Sequence, residues 1–94
     1  MFEIRKGEDG RVKLAGRLDA AEADGALAAL SAISAPLVAD CAELEYISSA
    51  GLSVILQTYK RLLGLGHPLR LVNLQPRVRN VFTYAGLDRF LTIE

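Results

Sequence analysis

Three apolar stripes at helical spacing are each enclosed between short runs that read as strands, and this alternation constrains the fold more than any other feature. Ala23, Leu27, Leu30 and Ile33 form the first stripe, and Leu52, Ile55, Leu56, Tyr59, Leu62 and Leu63 the second. Val78, Val81, Phe82 and Ala85 form the third. Residues three and four apart share one side of a helix, so each set predicts an amphipathic helix. Gln57, Thr58, Lys60 and Arg61 fall opposite the second stripe and predict its solvated side.

The runs between them have a different period. Phe2 to Arg5 and Arg11 to Leu18 alternate, with Val12, Leu14, Gly16 and Leu18 on one face; this is the strand pattern. Gly7-Glu8-Asp9-Gly10 between them predicts a hairpin turn, Asp-Gly being a strong turn dipeptide. Pro36 to Cys41 is a continuous apolar run, as expected of a buried central strand with proline at its first position. Pro68 to Leu74 predicts another strand, and Phe90 to Ile93 a short last one.

Local signals bound the helices. Asp19 precedes Ala20-Ala21-Glu22, a good N-cap with Glu at the third helical position. Gly25 should leave the start of this helix loosely formed, and Pro36 prevents its continuation. Ser49 to Leu65 holds the second helix, ended by Gly64 and Gly66. Pro76 suits the first position of the third, which Gly86 closes.

The order strand, strand, helix, strand, helix, strand, helix, strand predicts an α/β sandwich. Its sheet should be mixed but mostly parallel, with about five strands, three main helices and an antiparallel edge from the first hairpin. Ninety-four residues match one domain, residues 1–94, with little chain for a second core. Half of the residues, 51%, are hydrophobic, which a domain this small needs.

Eleven basic and eleven acidic residues cancel and are interspersed. That balance argues against nucleic acid as a partner and against attraction to an anionic membrane. No apolar run approaches the roughly 20 residues that span a bilayer. Met1 to Lys6 turns charged too early for a signal peptide. A lone cysteine, Cys41, excludes an intrachain disulfide and suits a reducing cytoplasm; it reads as a small buried hydrophobe. His67 follows Gly66 in a turn, with nothing spaced to share a metal, and reads as surface. No phosphate loop, nucleophile elbow or paired catalytic carboxylates occur. The expectation is a protein that is not an enzyme, with no cofactor and no metal.

One stretch asks for a function: Tyr46-Ile47-Ser48-Ser49-Ala50-Gly51-Leu52-Ser53-Val54. It lies where a strand gives way to a helix, the end of an α/β unit at which ligands and partners meet loops. A serine there accepts a hydrogen bond from a free N–H of the first turn. A plain capping turn accounts for these residues. So does a phosphoacceptor, because a helix N-terminus is a place where about −1.5 to −2 charges are welcome.

Taken in order, the motifs resemble those of a STAS domain of the anti-sigma-factor antagonist (anti-anti-sigma) type. The resemblance is carried by VADCAELEYI, SSAGL with VILQTYKRLLGLG after it, LRLVNLQPRVRNVF and YAGLDRFLTI, with LAGRLDAAEA as the lead-in to the first helix. It implies partner switching. The unphosphorylated antagonist binds an anti-sigma factor that is also a serine kinase with a histidine-kinase-like ATP fold, and so frees the sigma factor. Phosphorylation by that kinase breaks the complex, and a PP2C-type phosphatase resets it.

The family's acceptor lies two positions before the turn glycine, which is Ser49 here. Its usual predecessor is Asp; this chain has Ser48, which becomes a second candidate acceptor. The implied partner surface takes in Asp19, Ser48, Ser49, Ala50, Gly51 and Ser53. Arg17 stands where relatives often carry another polar residue and is a candidate for tuning partner choice; Asp40 is expected to hydrogen-bond a nearby loop. Two competing functions share the fold: a STAS subunit clamped on the ATPase of a lipid-transport ABC complex, and nucleotide binding by the domain itself, which the missing phosphate loop disfavours.

Overall fold

In the computed structural model, which describes residues 1–7 and 11–94, the alternating runs become β1 (Phe2–Lys6) and β2 (Arg11–Leu18). The expected Asp9-Gly10 turn lies outside the described residues. There follow α1 (Ala20–Ser31), β3 (Leu37–Ile47), α2 (Ser49–Gly64), β4 (Leu69–Val72), α3 (Pro76–Tyr84), a 3-10 turn (Leu87–Arg89) and β5 (Thr92–Ile93). The sheet order is β1-β2-β3-β4-β5. β1 runs antiparallel to β2, and every later neighbour is parallel. The predicted mixed sheet with three helices and an antiparallel edge is the observed one.

Parallel neighbours in chain order, joined by crossovers of the usual right hand, put their helices on one face, and burial agrees. Val12, Leu14, Leu18, Ala39, Cys41, Leu69 and Leu71 of the sheet pack with Ala23, Ala26, Leu30, Val54, Ile55, Leu62, Val78 and Phe82 of the helices in one core. The other face is charged and open. It carries Arg5 with Glu3 at 3.1 Å and Lys13 with Glu43 at 3.2 Å, all more than two-fifths exposed. Ion pairs this wet contribute about 0–1 kcal/mol each, so the buried face holds the sheet together.

β3 joins the apolar run to the extended segment expected to end at Tyr46-Ile47 as one strand, continuing from Cys41 through Ile47, with Pro36 just before its first residue. Asp40 and Glu43 pair with Lys13 and Ala15, and Leu44 and Tyr46 with Gly16 and Arg17. At both places β3 holds one residue more than β2, which makes two bulges. The extra residues turn Cys41, Leu44 and Ile47, spaced by three, all into the core. Gly16 opposes the second bulge at φ +94, and a Cβ there would come within 2.1 Å of the Met1 carbonyl oxygen; only glycine fits.

The helices hold further departures. α1 is regular from Ala20 onward despite Gly25, because Asp19 Oδ1 accepts from the Glu22 N–H and packing supplies the rest. Its last turn contains no basic residue. The Arg61 guanidinium of α2 does that work from outside, donating to the Leu30 carbonyl at 2.9 Å. Thr58, expected on the solvated side of α2, is buried and satisfies its hydroxyl on the Val54 carbonyl. Leu63, expected in the stripe, is 57% exposed. α2 packs against α1 as well as the sheet, so its buried sector is rotated from the one hydropathy alone suggests. His67 is half-buried, its N–H bonded to the Leu62 carbonyl.

Candidate functional site

The pairing Leu18 with Ile47 sets the carboxyl ends of β2 and β3 side by side. The chain leaves both strands directly into helices, so the starts of α1 and α2 are neighbours. Each is capped by the residue after the strand: Asp19 for α1, Ser48 for α2. Two helix N-termini, with the positive ends of their dipoles, open at one end of the sheet, and the caps take up only part of their first-turn N–H groups.

The two serines have different tasks. Ser48 Oγ accepts from the Gly51 N–H at 3.2 Å and donates to the Leu18 carbonyl at 3.4 Å. Its own N–H donates to that carbonyl at 3.0 Å. Ser48 is half-buried and ties the start of α2 to the end of β2. Ser49 occupies the first helical position, and its side chain is exposed. Among the described residues its hydroxyl has no protein partner. Asp, the usual residue of the resembled family at position 48, caps a helix as well as Ser does, so the exchange preserves the turn while removing a carboxylate beside Ser49. The first turn of α2 contains no acidic residue.

Gly51 is buried. A Cβ on it would meet the Leu18 carbonyl oxygen at 2.6 Å and Ile47 Cγ1 at 2.7 Å. Its surface is taken up by its own fold, and the missing side chain lets the turn approach β2. Ala50 is half-buried. Ser53, one turn beyond Ser49, is exposed and accepts from Gln57 Nε2 at 3.1 Å.

Sequence reasoning did not anticipate the contact that Tyr46 makes beside the turn. The second bulge of β3 sets it opposite Arg17, whose guanidinium carbon stands 4.3 Å from the ring centroid. This cation–π pair fixes a positive charge on the open face of the sheet, near the serine turn. The aromatic next to the turn was visible in the sequence, but the bulge that pairs it with Arg17 was not.

Asp40 lies mid-strand in β3, paired with Val72 at the end of β4. Its Oδ1 accepts from the Ala42 N–H at 3.0 Å and from Asn73 Nδ2 at 3.1 Å, as its expected loop-bonding role requires. Those bonds hold its carboxyl below its ordinary range. Gln75 adds a bond to the Ala42 carbonyl, so the β4–α3 loop is anchored on β3. Burial, with the Asp40 charge, pushes the Cys41 thiol up to about 12, and a thiol so protonated is a poor nucleophile. Among the described residues no cluster of His, Cys, Asp and Glu is spaced to hold a metal ion, and no helix is long and apolar enough to cross a membrane.

A family model described as "Mlab, STAS domain" matches residues 1–93. This chain belongs to the STAS-domain family. Among STAS relatives, BtrV of Bordetella bronchiseptica, named as an anti-sigma factor antagonist, is 46% identical over 57 residues, which are 61% of this chain. The match spans about half of that relative, 47%. An anti-sigma factor antagonist from Mycobacterium paratuberculosis superposes with a TM-score of 0.81 at 23% identity, covering 99% of this chain and 83% of that one. SpoIIAA in its unphosphorylated form gives 0.72 at 18% identity, over 100% of this chain and 87% of its own. The phosphorylated form of SpoIIAA from Bacillus gives 0.71 at 20%, over 100% and 91%. At these identities the superpositions establish a shared STAS fold.

Proposed function

We propose that this STAS domain is an anti-sigma-factor antagonist of the partner-switching type, acting in the cytoplasm by binding rather than by catalysis, with Ser49 as its phosphoacceptor. The observation that carries the reading is the division of labour in the SSAGL turn. Ser48 is spent on capping, whereas Ser49 stands exposed at the first position of α2 with its hydroxyl unengaged. A kinase reaches Ser49 without opening the fold; Ser48 must first give up its bonds to Gly51 and Leu18. The naming of BtrV as an antagonist supports the same role. SpoIIAA superposes on this chain almost equally well in both phosphorylation states, in keeping with a scaffold that carries the phosphate intact.

The unphosphorylated turn, with Asp19, Ala50 and Ser53 around Ser49, docks an anti-sigma serine kinase of histidine-kinase-like ATP fold. A dianion on Ser49 is tolerated in the free protein, beside first-turn N–H groups and with no acidic residue in that turn. Pressed into a partner surface fitted to a neutral serine, the same dianion is desolvated with no compensating cation on that surface, at a cost of several kcal/mol. Each 1.4 kcal/mol is about tenfold, so affinity should fall 10²-fold or more. A PP2C-type phosphatase restores the binding form.

Calorimetric titration of a cognate anti-sigma kinase tests this. Wild type and Ser49→Ala should bind alike and Ser49→Asp at least about 10²-fold more weakly. Incubation with kinase and ATP should add one phosphate to wild type, mapped to Ser49, and none to Ser49→Ala. Equal affinities for all three forms reject the proposal. The ABC-transporter clamp has the same fold, and co-purification separates it: a transporter ATPase in place of a kinase favours the clamp.

A further inference from the structure

The other end of the sheet order is unfinished. No described strand lies beyond β1. The Arg17 N–H donates to the Met1 carbonyl and the Gly7 N–H to the Arg11 carbonyl. With the register Phe2–Gly16 through Lys6–Val12, the backbone groups of Met1, Glu3, Arg5 and Gly7 therefore face β2. Those of Phe2, Ile4 and Lys6 face away, toward the open edge. An edge of free N–H and C=O groups is a template for another strand.

We propose that the occupant is β1 of a second copy of this chain, paired antiparallel about a two-fold axis at Ile4, so that two five-stranded sheets join into one. The charge pattern selects both partner and register. Outward-facing residues must meet outward-facing residues, which leaves three registers of useful length. An axis at Glu3 sets Glu3 against its own copy, and an axis at Arg5 sets Arg5 against its own copy; like charges directly opposite are unfavourable. The axis at Ile4 sets Glu3 of each copy against Arg5 of the other, twice, on the open face. Both side chains are more than half exposed, and they already attract one another within the strand at 3.1 Å.

The helix-side face agrees. Ile4, half-buried, meets Ile4, and Lys6 of one copy lies opposite Phe2 of the other. Beside Phe2 and Ile4 runs a groove lined by Glu22, Gly25, Ala26 and Ala29. Small residues leave room there for the incoming Lys6 stem, and Glu22 offers its ammonium an opposite charge. A two-fold contact of this kind closes on itself and makes dimers instead of fibres. Five residues bury less than a standard interface, so the expected dissociation constant is on the order of 10–100 μM. The pairing does not depend on the serine switch.

Sedimentation equilibrium of the whole chain from about 10 μM to about 1 mM spans the expected constant, and circular dichroism of each variant verifies folding. Wild type should pass from monomer to dimer. Glu3→Arg alone places only basic charge on the open face of the pairing, and Arg5→Glu alone only acidic charge. Each should associate at least about tenfold more weakly than wild type. An equimolar mixture of these two variants restores every opposite-charge contact and should form a one-to-one heterodimer at least as tight as wild type. A wild type that stays monomeric overturns the proposal. So do single variants that dimerise like wild type, or a mixture that fails to associate.

Discussion

Replacing each serine of the turn by alanine separates the capping hydroxyl from the free one. Ser48→Ala removes the acceptor of the Gly51 N–H and the weaker donation to the Leu18 carbonyl at 3.4 Å. Loss of a serine N-cap costs about 0.5–2 kcal/mol, typically about 1. The Ser48 N–H still reaches Leu18 at 3.0 Å, so the strand-to-helix joint holds and the loss should stay near 1–1.5 kcal/mol. For a domain of this size that corresponds to about 4–12 °C in melting temperature. Ser49→Ala removes a hydroxyl that bonds to no described residue and places a better helix former in the first turn. Its effect should lie within about 0.5 kcal/mol of zero. Ser48→Asp, which exchanges one good cap for another, should keep most of the stability. Urea unfolding followed by circular dichroism, with midpoints and slopes compared across the four proteins, reads these differences directly. Should Ser49→Ala cost as much as Ser48→Ala, or Ser48→Ala cost nothing, the assignment of tasks is wrong and Ser49 loses its standing as the available hydroxyl.

Three further expectations follow from the same geometry. Gly51→Ala forces a Cβ to 2.6 Å from the Leu18 carbonyl oxygen; overpacking of this kind costs about 1–3 kcal/mol, visible as a lower urea midpoint despite alanine's better helix propensity. Cys41, buried and with its thiol pushed up to about 12, should resist alkylation in native buffer at neutral pH and react fully in denaturant; rapid native labelling would contradict its burial. Asp40 has a folded pKa below its ordinary 3.8, so its contribution to stability is present above that value and lost as pH falls through the folded pKa. The stability difference between wild type and Asp40→Ala should therefore be steady near neutrality and shrink below about pH 4, and a difference unchanged at low pH would rule the carboxylate contribution out.

What the amino-acid order determined alone was the ledger of local signals. Alternation in Arg11–Leu18, the three helical stripes, the caps at Asp19 and before Ala50, and the prolines and glycines between them dictated an α/β chain and its element order. These signals act within a few residues of themselves, so no partner is needed to read them. The tertiary structure decided whatever depends on a neighbour. Strand β3 runs on to Ile47 because two bulges turn Leu44 and Ile47 inward, a spacing of three that matches no regular strand period. Thr58 is buried with its hydroxyl on the Val54 carbonyl, and Arg61 of α2 reaches across to end α1 at the Leu30 carbonyl. Both serines are equally good caps on paper; Ser48 is the cap because its hydroxyl and N–H reach Leu18, which only the pairing of β2 with β3 brings within 3.4 Å. Ser49 is left free by that contact, thirty residues away in sequence, and local chemistry cannot anticipate a bond of that range.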